Sequence, residues 1–397
     1  MKTSNIIKIA ALVLLAGSAL SCKDAKKQEI DNLVYISEAS TGKVKEVILA
    51  DSGESVASFT VRLAKAYDKD IKVKLTINPE ILDAYNKKNE TNYKIVDASN
   101  YEFESNATIA AGAVNAEPCK IKVKEFAMNG GQFALPVSIT SVEGGIQLAE
   151  ASRNIILILT KPLVQAAPTM TYVNAMKCAP DDPWRLELNS YTIECWCKMS
   201  SFPINNQAII MSGADENEIY IRFGDVLYAN SSGRYIYNWL QAKMHGSQYD
   251  TGNPANGGID FQGETWYHLA FTFNGQTGEH TMYVNGNVAS TLTTAATKVW
   301  IDQFAMIGSN PQYFKAEATF AQVRMWKTCR TQNQIKKNMY AEVEYTNPDL
   351  VLYVPMNEGE GDTLHDVTGH GHDMVIGNNG GSSNVCVWKQ GYKFSAQ

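Results

Sequence analysis

The stretch GETWYHLAFTFNGQTGEHTMYVNG, residues 263–286, decides the fold of the C-terminal half of this chain. Apolar and polar residues alternate on both sides of Asn274-Gly275, a pattern typical of β-strands with one buried face. Asn285-Gly286 suits a two-residue hairpin turn, because both residues tolerate positive φ. The stretch therefore predicts three consecutive antiparallel strands whose Trp and Phe side chains fill the core of a β-sandwich.

Similar strand patterns surround this stretch. They are YTIECWCKM (191–199), EIYIRF (218–223), FAQVRMW (320–326) and VLYVPM (351–356). One helix is predicted near the end, where Thr331 and Gln334 form a capping box and Ile335 and Met339 share a face.

The N-terminal half also alternates, in FTVRL (59–63), IKVKLTI (71–77), IKVKEF (121–126) and FALPVSI (133–139), which predicts a small β-sandwich. NPEILDAYNKKN (78–89) predicts a helix with Asn78 as N-cap and Pro79 in its first turn. RNIILILT (153–160) predicts a strand that is apolar on both faces. TKPLVQAAPT (160–169), with two prolines and no period, predicts a linker.

The first residues are typical of a secretory signal, with Lys2 and Lys8 before an apolar run that is too short to span a membrane in the mature protein. Cys22, directly after SALS, resembles the lipidated cysteine of a bacterial lipoprotein, although Leu20 lies one place nearer the cysteine than that pattern prefers. The alternative is an ordinary secretory signal with a cysteine there by chance. Residues 22–32 are charged and predict a flexible tether.

Charge and cysteine content exclude some functions. The net charge of −6 argues against a nucleic-acid partner. The remaining cysteines have neither C-x-x-C nor zinc-ligand spacing, and Cys195 and Cys197 share one strand face. Buried thiols are the favoured interpretation, with one disulfide as the alternative.

The predicted fold is all-β: an Ig-like sandwich followed by a jelly roll of two packed antiparallel sheets. The predicted divisions are signal peptide 1–21, tether 22–32, sandwich 33–160, linker 161–169 and jelly roll 170–397.

Four ordered segments carry a family resemblance in the C-terminal half: SYTIECWCKM, GETWYHLAFTFNGQTGEHTMYVNGN, FAQVRMWKTCRTQNQIKKNM and YVPMNEGEGDTLHDVTGHGHD. Together they resemble a laminin-G-like, concanavalin A-like jelly roll over roughly residues 170–395. Domains of this class bind glycans or proteins, so the resemblance implies a recognition function.

The segments NPEILDAYNKKNETNYKIVDASNYEF and ATIAAGAV resemble the domain of unknown function 1735 over about residues 31–160. Val96-Asp97 replaces the Leu-Pro that the family usually has before its tyrosine strand. Such domains often precede lectin-like or glycosidase modules in surface lipoproteins of Gram-negative gut anaerobes. The resemblance implies an outer-membrane, lipid-anchored protein facing the cell exterior, which captures glycan for an outer-membrane transporter complex.

Catalysis is not predicted. Retaining glycosidases need two carboxylates about 5 Å apart in one cleft, and no strand of the sequence carries such a spaced acid pair. Asp215, Glu216 and Glu218 lie in and beside a predicted turn and are interpreted as a solvated hairpin.

The segment HDVTGHGHD (365–373) is rich in potential metal ligands. Among metals, calcium at Asp362 and Asp366 is favoured over a transition metal, because jelly-roll lectins often hold calcium in oxygen-rich loops. A transition metal on the histidines and a metal-free turn capped by Asp366 are the alternatives.

Sugars present apolar C–H faces and hydroxyl edges, so their sites combine aromatic rings with hydrogen-bonding groups. The loop-rich segment 229–258 supplies the candidates Arg234, Tyr235, Tyr237, Trp239, Tyr249 and Asn253. Residues 235, 237 and 239 would share one face of a strand, which is either an exposed stacking platform or part of the core. Trp184 is a further rim candidate.

The predicted function is therefore non-catalytic glycan capture at the cell surface. A protein-binding adhesin is the alternative from another class. A glycoside hydrolase with an unfamiliar site is the third hypothesis, and the absence of an acid pair disfavours it.

Overall fold

A computed structural model describes residues 31–50, 52–178, 184, 186–213 and 215–395. The predicted signal peptide, the lipidation candidate Cys22 and nearly all of the predicted tether lie outside these residues. Within them, no helix combines the length and apolar character that crossing a bilayer requires.

In the part that the structure describes, the N-terminal half has twelve strands around one hydrophobic core. One sheet has the order β2-β12-β10-β5-β8, with β6 also pairing β10, and two three-stranded sheets have the orders β3-β9-β7 and β11-β1-β4. The strands are β1 Leu33–Ile36, β2 Val44–Ile48, β3 Ser55–Phe59, β4 Val61–Leu63, β5 Ile71–Ile77, β6 Lys94–Ile95, β7 Tyr101–Phe103, β8 Asn106–Ile109, β9 Cys119–Val123, β10 Phe133–Glu143, β11 Gln147–Leu148 and β12 Asn154–Thr160.

Helix α1 (Pro79–Asn89) explains why β12 is apolar on both faces. Ile155, Leu157 and Leu159 point into the sandwich core. Ile156 and Ile158 lie on the other face, where they pack with Leu82 of α1. The helix begins as predicted, since the Asn78 side chain accepts a hydrogen bond from the Glu80 amide at 3.1 Å.

The C-terminal half is the predicted jelly roll. Its two large sheets have the orders β23-β22-β21-β16-β26-β13-β30, with β27 pairing β26, and β20-β19-β18-β17-β25-β14-β29-β28. The strands are β13 Leu163–Met170, β14 Met176–Cys178, β15 Leu186–Leu188, β16 Ser190–Met199, β17 Gln207–Ser212, β18 Ile219–Phe223, β19 Leu240–Met244, β20 Ser247–Asp250, β21 Tyr267–Asn274, β22 Glu279–Val284, β23 Asn287–Thr293, β24 Val299–Ile301, β25 Ala305–Met306, β26 Ala318–Trp326, β27 Leu350–Val354, β28 Thr363–Leu364, β29 Met374–Val375 and β30 Val387–Phe394. The all-β prediction is confirmed.

The opening stretch folds as its pattern predicts, with one exception. Asn285 and Gly286 have φ of 49° and 72° and join β22 to β23. Phe271 and Phe273 are fully buried between the two sheets. Trp266 instead packs on the outer side of the first sheet, in a cluster with Trp196 and Phe394.

The predicted linker at 161–169 is wrong for most of its length. Leu163–Met170 is strand β13, which pairs with β30 through Leu163 to Thr169. Its pairing with β26 involves only Thr169 and Met170, so Pro168 lies where no ladder bond to β26 is made. This position lets a proline-containing segment without alternation serve as an interior strand.

Helix α2 (Gln332–Asn338) of the jelly roll and its N-cap residue contact the N-terminal sandwich. Its capping box is present as predicted, with reciprocal bonds between Thr331 and Gln334. Polar contacts cross from this region to the other half: Thr331 Oγ1 to Glu90 Oε2 at 2.8 Å, Asn333 Nδ2 to the Asn89 carbonyl at 3.0 Å, and Gln132 Nε2 to Asn338 Oδ1 at 2.7 Å. Gly130 lies so close to the Val343 carbonyl that an added Cβ would be 1.8 Å from its oxygen. The two halves thus meet through fitted backbone and polar contacts.

Candidate ligand-binding site

A groove of about 530 Å³ opens at one end of the jelly roll, and we call it the tyrosine groove. Three segments form it: the turn after β16, the connection between β18 and β19, and the segment before β21. Its lining residues are Ser200, Ser201, Phe202, Pro203, Asn230, Arg234, Tyr235, Ile236, Tyr237, Asn238, Phe261, Gln262 and Gly263.

One wall of the groove is a small hairpin of residues 228–236. The Ile236 amide donates to the Tyr228 carbonyl at 3.0 Å, and the Asn230 amide donates to the Arg234 carbonyl at 2.9 Å. The Asn230 side chain also accepts bonds from the amides of Ser232 and Arg234, as Asn does in turns. These bonds fix the backbone that presents Arg234 and Tyr235.

The base of this wall is anchored in the sandwich core. Trp239 is fully buried and its indole N–H donates to the Ile236 carbonyl at 2.9 Å. Gly224, at φ of 70°, lies against Tyr237, where a Cβ would be 2.6 Å from the Tyr237 Cβ. Glycine at 224 therefore permits the close approach that positions Tyr237.

The buried Arg222 side chain fixes the start of the connection between β18 and β19. The Arg222 guanidinium donates to Gln241 Oε1 at 2.9 Å and to Asn206 Oδ1 at 2.8 Å, and it forms an ion pair with Asp225. Because these bonds satisfy a buried cation, they fix the chain where it leaves β18.

The opposite wall combines aromatic packing with amide groups. Phe202 packs on Phe223 with ring centroids 4.9 Å apart, and Phe223 meets Phe261 edge-on at 5.2 Å. The Gln262 amide donates to the Tyr267 hydroxyl at 2.9 Å. Asn238 donates to Asp260 through its side chain.

The lining defines what the groove can do chemically. It offers tyrosine and phenylalanine rings, side-chain amides, serine hydroxyls and one guanidinium. Among the described residues, no Asp, Glu, His or Cys side chain lines it. Such a set can stack and hydrogen-bond a ligand, but it contains no carboxylate pair for glycoside hydrolysis.

Three of the six predicted ligand-binding residues, Arg234, Tyr235 and Tyr237, line this groove. The predicted platform of 235, 237 and 239 is not a strand face, because β19 begins only at Leu240. Trp239 belongs to the interior, which corrects that part of the prediction.

Tyr249 and Asn253 also lie outside the groove lining. Tyr249 lies in strand β20, is buried in the core and has its hydroxyl 3.7 Å from the Met244 sulfur, which corrects its prediction as a ligand-binding residue. Asn253 caps a short 3₁₀ turn by accepting from the Ala255 amide at 3.0 Å.

The predicted metal ligands Asp362 and Asp366 have protein partners. Asp366 is buried and accepts from the amides of Tyr353 and Thr368, both at 3.1 Å, so it caps its loop. Asp362 accepts from Asn384 Nδ2 at 2.7 Å. Calcium at these residues stays a prediction.

Asp366, His370 and His372 have ligand atoms within 4.8 Å of one another, a grouping that could hold a metal ion. The Nδ1 atoms of His370 and His372 lie 3.0 and 3.3 Å from the Val351 carbonyl. Burial lowers the pKa of His372 despite the nearby carbonyl and Asp366. Trp184, the predicted rim residue, stacks on His372 with centroids 4.1 Å apart.

Sequence reasoning missed Phe202, Asn238 and Gln262. They come from segments far apart in the chain, and no motif or spacing connects these segments. Their common feature is position, since 200–203 follows β16 and 261–263 precedes its neighbour β21. The pairing of those strands brings the two segments together.

Sequence reasoning also missed a buried charge cluster on the outer side of the first sheet. Glu194 is fully buried, accepts from Trp326 Nε1 at 2.8 Å, and lies 3.8 Å from Arg324 Nη1 and 3.6 Å from His268 Nε2. The Arg330 guanidinium lies 3.9 Å from the centre of a Trp326 ring. This cluster is enclosed, so no ligand reaches Glu194.

The pKa values of the cluster follow from these neighbours. Burial alone would raise the pKa of Glu194, but Arg330, Arg324 and His268 outweigh it and lower that pKa. Burial lowers the pKa of His268 to about 4, against the opposing influence of Glu194. At neutral pH the cluster thus holds one carboxylate, two guanidiniums and a neutral imidazole.

Two family models match the chain. A model for an N-terminal domain matches residues 27–146, and the model of the concanavalin A-like lectin/glucanases superfamily matches residues 173–336. No curated protein sequence matches the chain significantly.

Several solved structures align with the chain. A proposed carbohydrate-binding protein from Bacteroides ovatus aligns with a TM-score of 0.59 and 21% identity, over 90% of this chain and 97% of its own. A pentraxin from Limulus polyphemus aligns over 43% of this chain and 80% of its own, with a TM-score of 0.32 and 13% identity. EndoBT-3987 from Bacteroides thetaiotamicron covers 32% of this chain and 30% of its own, with a TM-score of 0.27 and 18% identity.

Proposed function

We propose that the protein binds glycan in the tyrosine groove without cleaving it, a function in keeping with the match of residues 173–336 to the model of the concanavalin A-like lectin/glucanases superfamily. The observation that carries the proposal is the groove itself. It combines exposed aromatic rings with amide and hydroxyl groups, and its described lining contains no carboxylate.

The aromatic residues favour a sugar over other ligands. Tyr235 is 49% exposed although it is a large amphipathic side chain, and Tyr237 and Phe202 are half-buried beside it. Rings held in this way offer flat apolar faces to the C–H faces of a pyranose. The surrounding amides of Asn230, Asn238 and Gln262 are suited to hydroxyl groups. The carbohydrate-binding description of the Bacteroides ovatus structure agrees with this proposal.

We also propose that the protein is anchored to the outer membrane. The lipoprotein-like Cys22 would anchor the chain to the outer membrane, and the N-terminal sandwich would hold the groove away from the bilayer. In that position the protein would capture polysaccharide or glycoprotein glycan for an uptake complex. Metabolic labelling with a fatty acid tests the anchor, because a Cys22→Ala variant should then lose the label.

The binding proposal is tested on a glycan array with purified protein, with calcium and again with chelator. We expect saturable binding to one glycan class, and loss with chelator would support calcium at Asp362 and Asp366. Tyr235→Ala should weaken binding about tenfold, since stacking of one ring contributes on the order of 1 kcal/mol or more. The matched control is Trp300→Ala, because Trp300 is 47% exposed but lies near the opposite end of β16.

Two results would contradict the proposal. Absence of binding to every glycan, with the protein folded by circular dichroism, would remove glycan recognition and favour the adhesin hypothesis. Release of reducing sugar from a bound glycan would show that the protein is a hydrolase.

A further inference from the structure

The tyrosine groove contains an exposed cation without a protein partner. Arg234 stands at the tip of the hairpin 228–236 and lines the groove beside Tyr235. Within the described residues its guanidinium has no hydrogen bond and no ion pair, and only its backbone is bonded, to Asn230.

The acidic side chains of the neighbouring segments already have partners. Asp225 pairs with the buried Arg222, and Asp260 accepts from Asn238. Asp250 accepts from the Tyr228 hydroxyl at 2.8 Å and from the Gly252 amide at 2.7 Å. The structure therefore supplies acceptors for its buried cation and leaves the guanidinium of Arg234 for a ligand.

From this arrangement we propose that the ligand of the tyrosine groove is an anionic glycan whose carboxylate or sulfate group pairs with Arg234, an inference that rests on the proposed glycan binding. A planar guanidinium matches the two oxygens of a carboxylate or sulfate through parallel N–H bonds. The hairpin bonds hold the Arg234 backbone in place, so less conformational freedom is lost when the pair forms. Tyr235 and Tyr237 would contact the sugar ring next to the charged group.

The charge of the whole chain makes this inference specific. The protein carries a net charge of −6, so its surface does not attract polyanions in general. Binding of an acidic polymer would consequently depend on a local cation, and Arg234 is the exposed cation that lines the groove.

The experiment compares matched polymers by isothermal titration calorimetry. Polygalacturonic acid is measured against the same polymer after reduction of its carboxyl groups, and heparin against N- and O-desulfated heparin. We expect at least one acidic polymer to bind about tenfold more tightly than its neutralised partner, consistent with a charge-assisted hydrogen bond. Which pair shows the difference distinguishes carboxylate from sulfate.

Three variants locate the effect. Arg234→Gln should remove the preference for the charged polymer, and Arg234→Lys should retain part of it, because lysine keeps the charge without the fork. Lys327→Gln, an exposed cation at the opposite end of β16, should leave affinity unchanged. Equal binding of charged and neutralised polymers, unaffected by Arg234→Gln but weakened by Tyr235→Ala, would overturn the anionic-glycan inference and leave glycan binding intact. Absence of binding to any polymer in this panel or on the glycan array would overturn both.

Discussion

Replacing Glu194 by Gln should destabilise the jelly roll while leaving its shape intact. The substitution preserves side-chain volume and a partner for Trp326, but it removes the buried carboxylate that interacts with both Arg324 and Arg330. Both guanidiniums are buried, so their charges would remain in the interior without the Glu194 carboxylate, and Arg330 would keep the weaker attraction of Asp349.

The size of the destabilisation depends on which contacts each arginine keeps after the substitution. Removing one member of a buried ion pair costs about 3–5 kcal/mol. Arg324 retains the Asn338 carbonyl at 3.1 Å and the Ala341 carbonyl at 2.6 Å, and Arg330 retains its contact with the Trp326 ring. We therefore expect the lower end of this range, about 3 kcal/mol.

Urea unfolding followed by tryptophan fluorescence measures this loss selectively, because all seven tryptophans lie between residues 184 and 388, within the jelly roll. The control is Glu187→Gln, whose carboxylate is 41% exposed and pairs with Lys298 at 2.8 Å. An exposed pair of this kind contributes less than about 1 kcal/mol. If the two variants unfolded at the same urea concentration with equal slopes, the buried charge would not be required and the reasoning would fail.

Two further predictions concern pH and the junction between the halves. Burial lowers the pKa of both His268 and His280 from 6.5 to about 4, and His245 adds to the shift of His280. The unfolded chain therefore takes up protons below pH 6.5 that the folded chain does not bind until about pH 4. The free energy of unfolding should therefore fall as the pH drops from 6.5 to 4, and urea midpoints that stay constant over this range would contradict the assignment. Gly130→Ala should lower the melting temperature more than Gly112→Ala. Both glycines have positive φ, but of the two only Gly130 lies against another chain segment, at the Val343 carbonyl. Equal decreases in melting temperature by calorimetry would mean that the junction tolerates the change.

Much of the fold could be predicted from local pattern. Alternation identified β5, β10, β16 and β21 within a few residues, because one face of each strand is buried and the period of two is a direct consequence. The caps at Asn78 and Thr331 were readable since their bonds lie within three residues. Strand β13 could not be predicted, because its burial depends on pairing with β30 and β26, which are distant in sequence, and its own sequence does not alternate.

The site was only half predictable for the same reason. Arg234, Tyr235 and Tyr237 lie in one aromatic-rich loop and were found from composition. Trp239 and Tyr249 are aromatic residues of the same segment, and they differ from Tyr235 and Tyr237 in being buried, which is determined by tertiary packing. Phe202 and Gln262 meet the loop through strand pairing that no local signal encodes.

The hairpin of residues 228–236 has a consequence for how such a protein changes over evolutionary time. Its shape is set by its own bonds, between Tyr228 and Ile236 and between Asn230 and Arg234, while Trp239 holds its base. Substitutions, insertions or a transplanted loop at its tip would leave the interior undisturbed. One scaffold can thereby acquire new preferences through a handful of mutations, and protein engineers can diversify those positions in a library with little risk to folding.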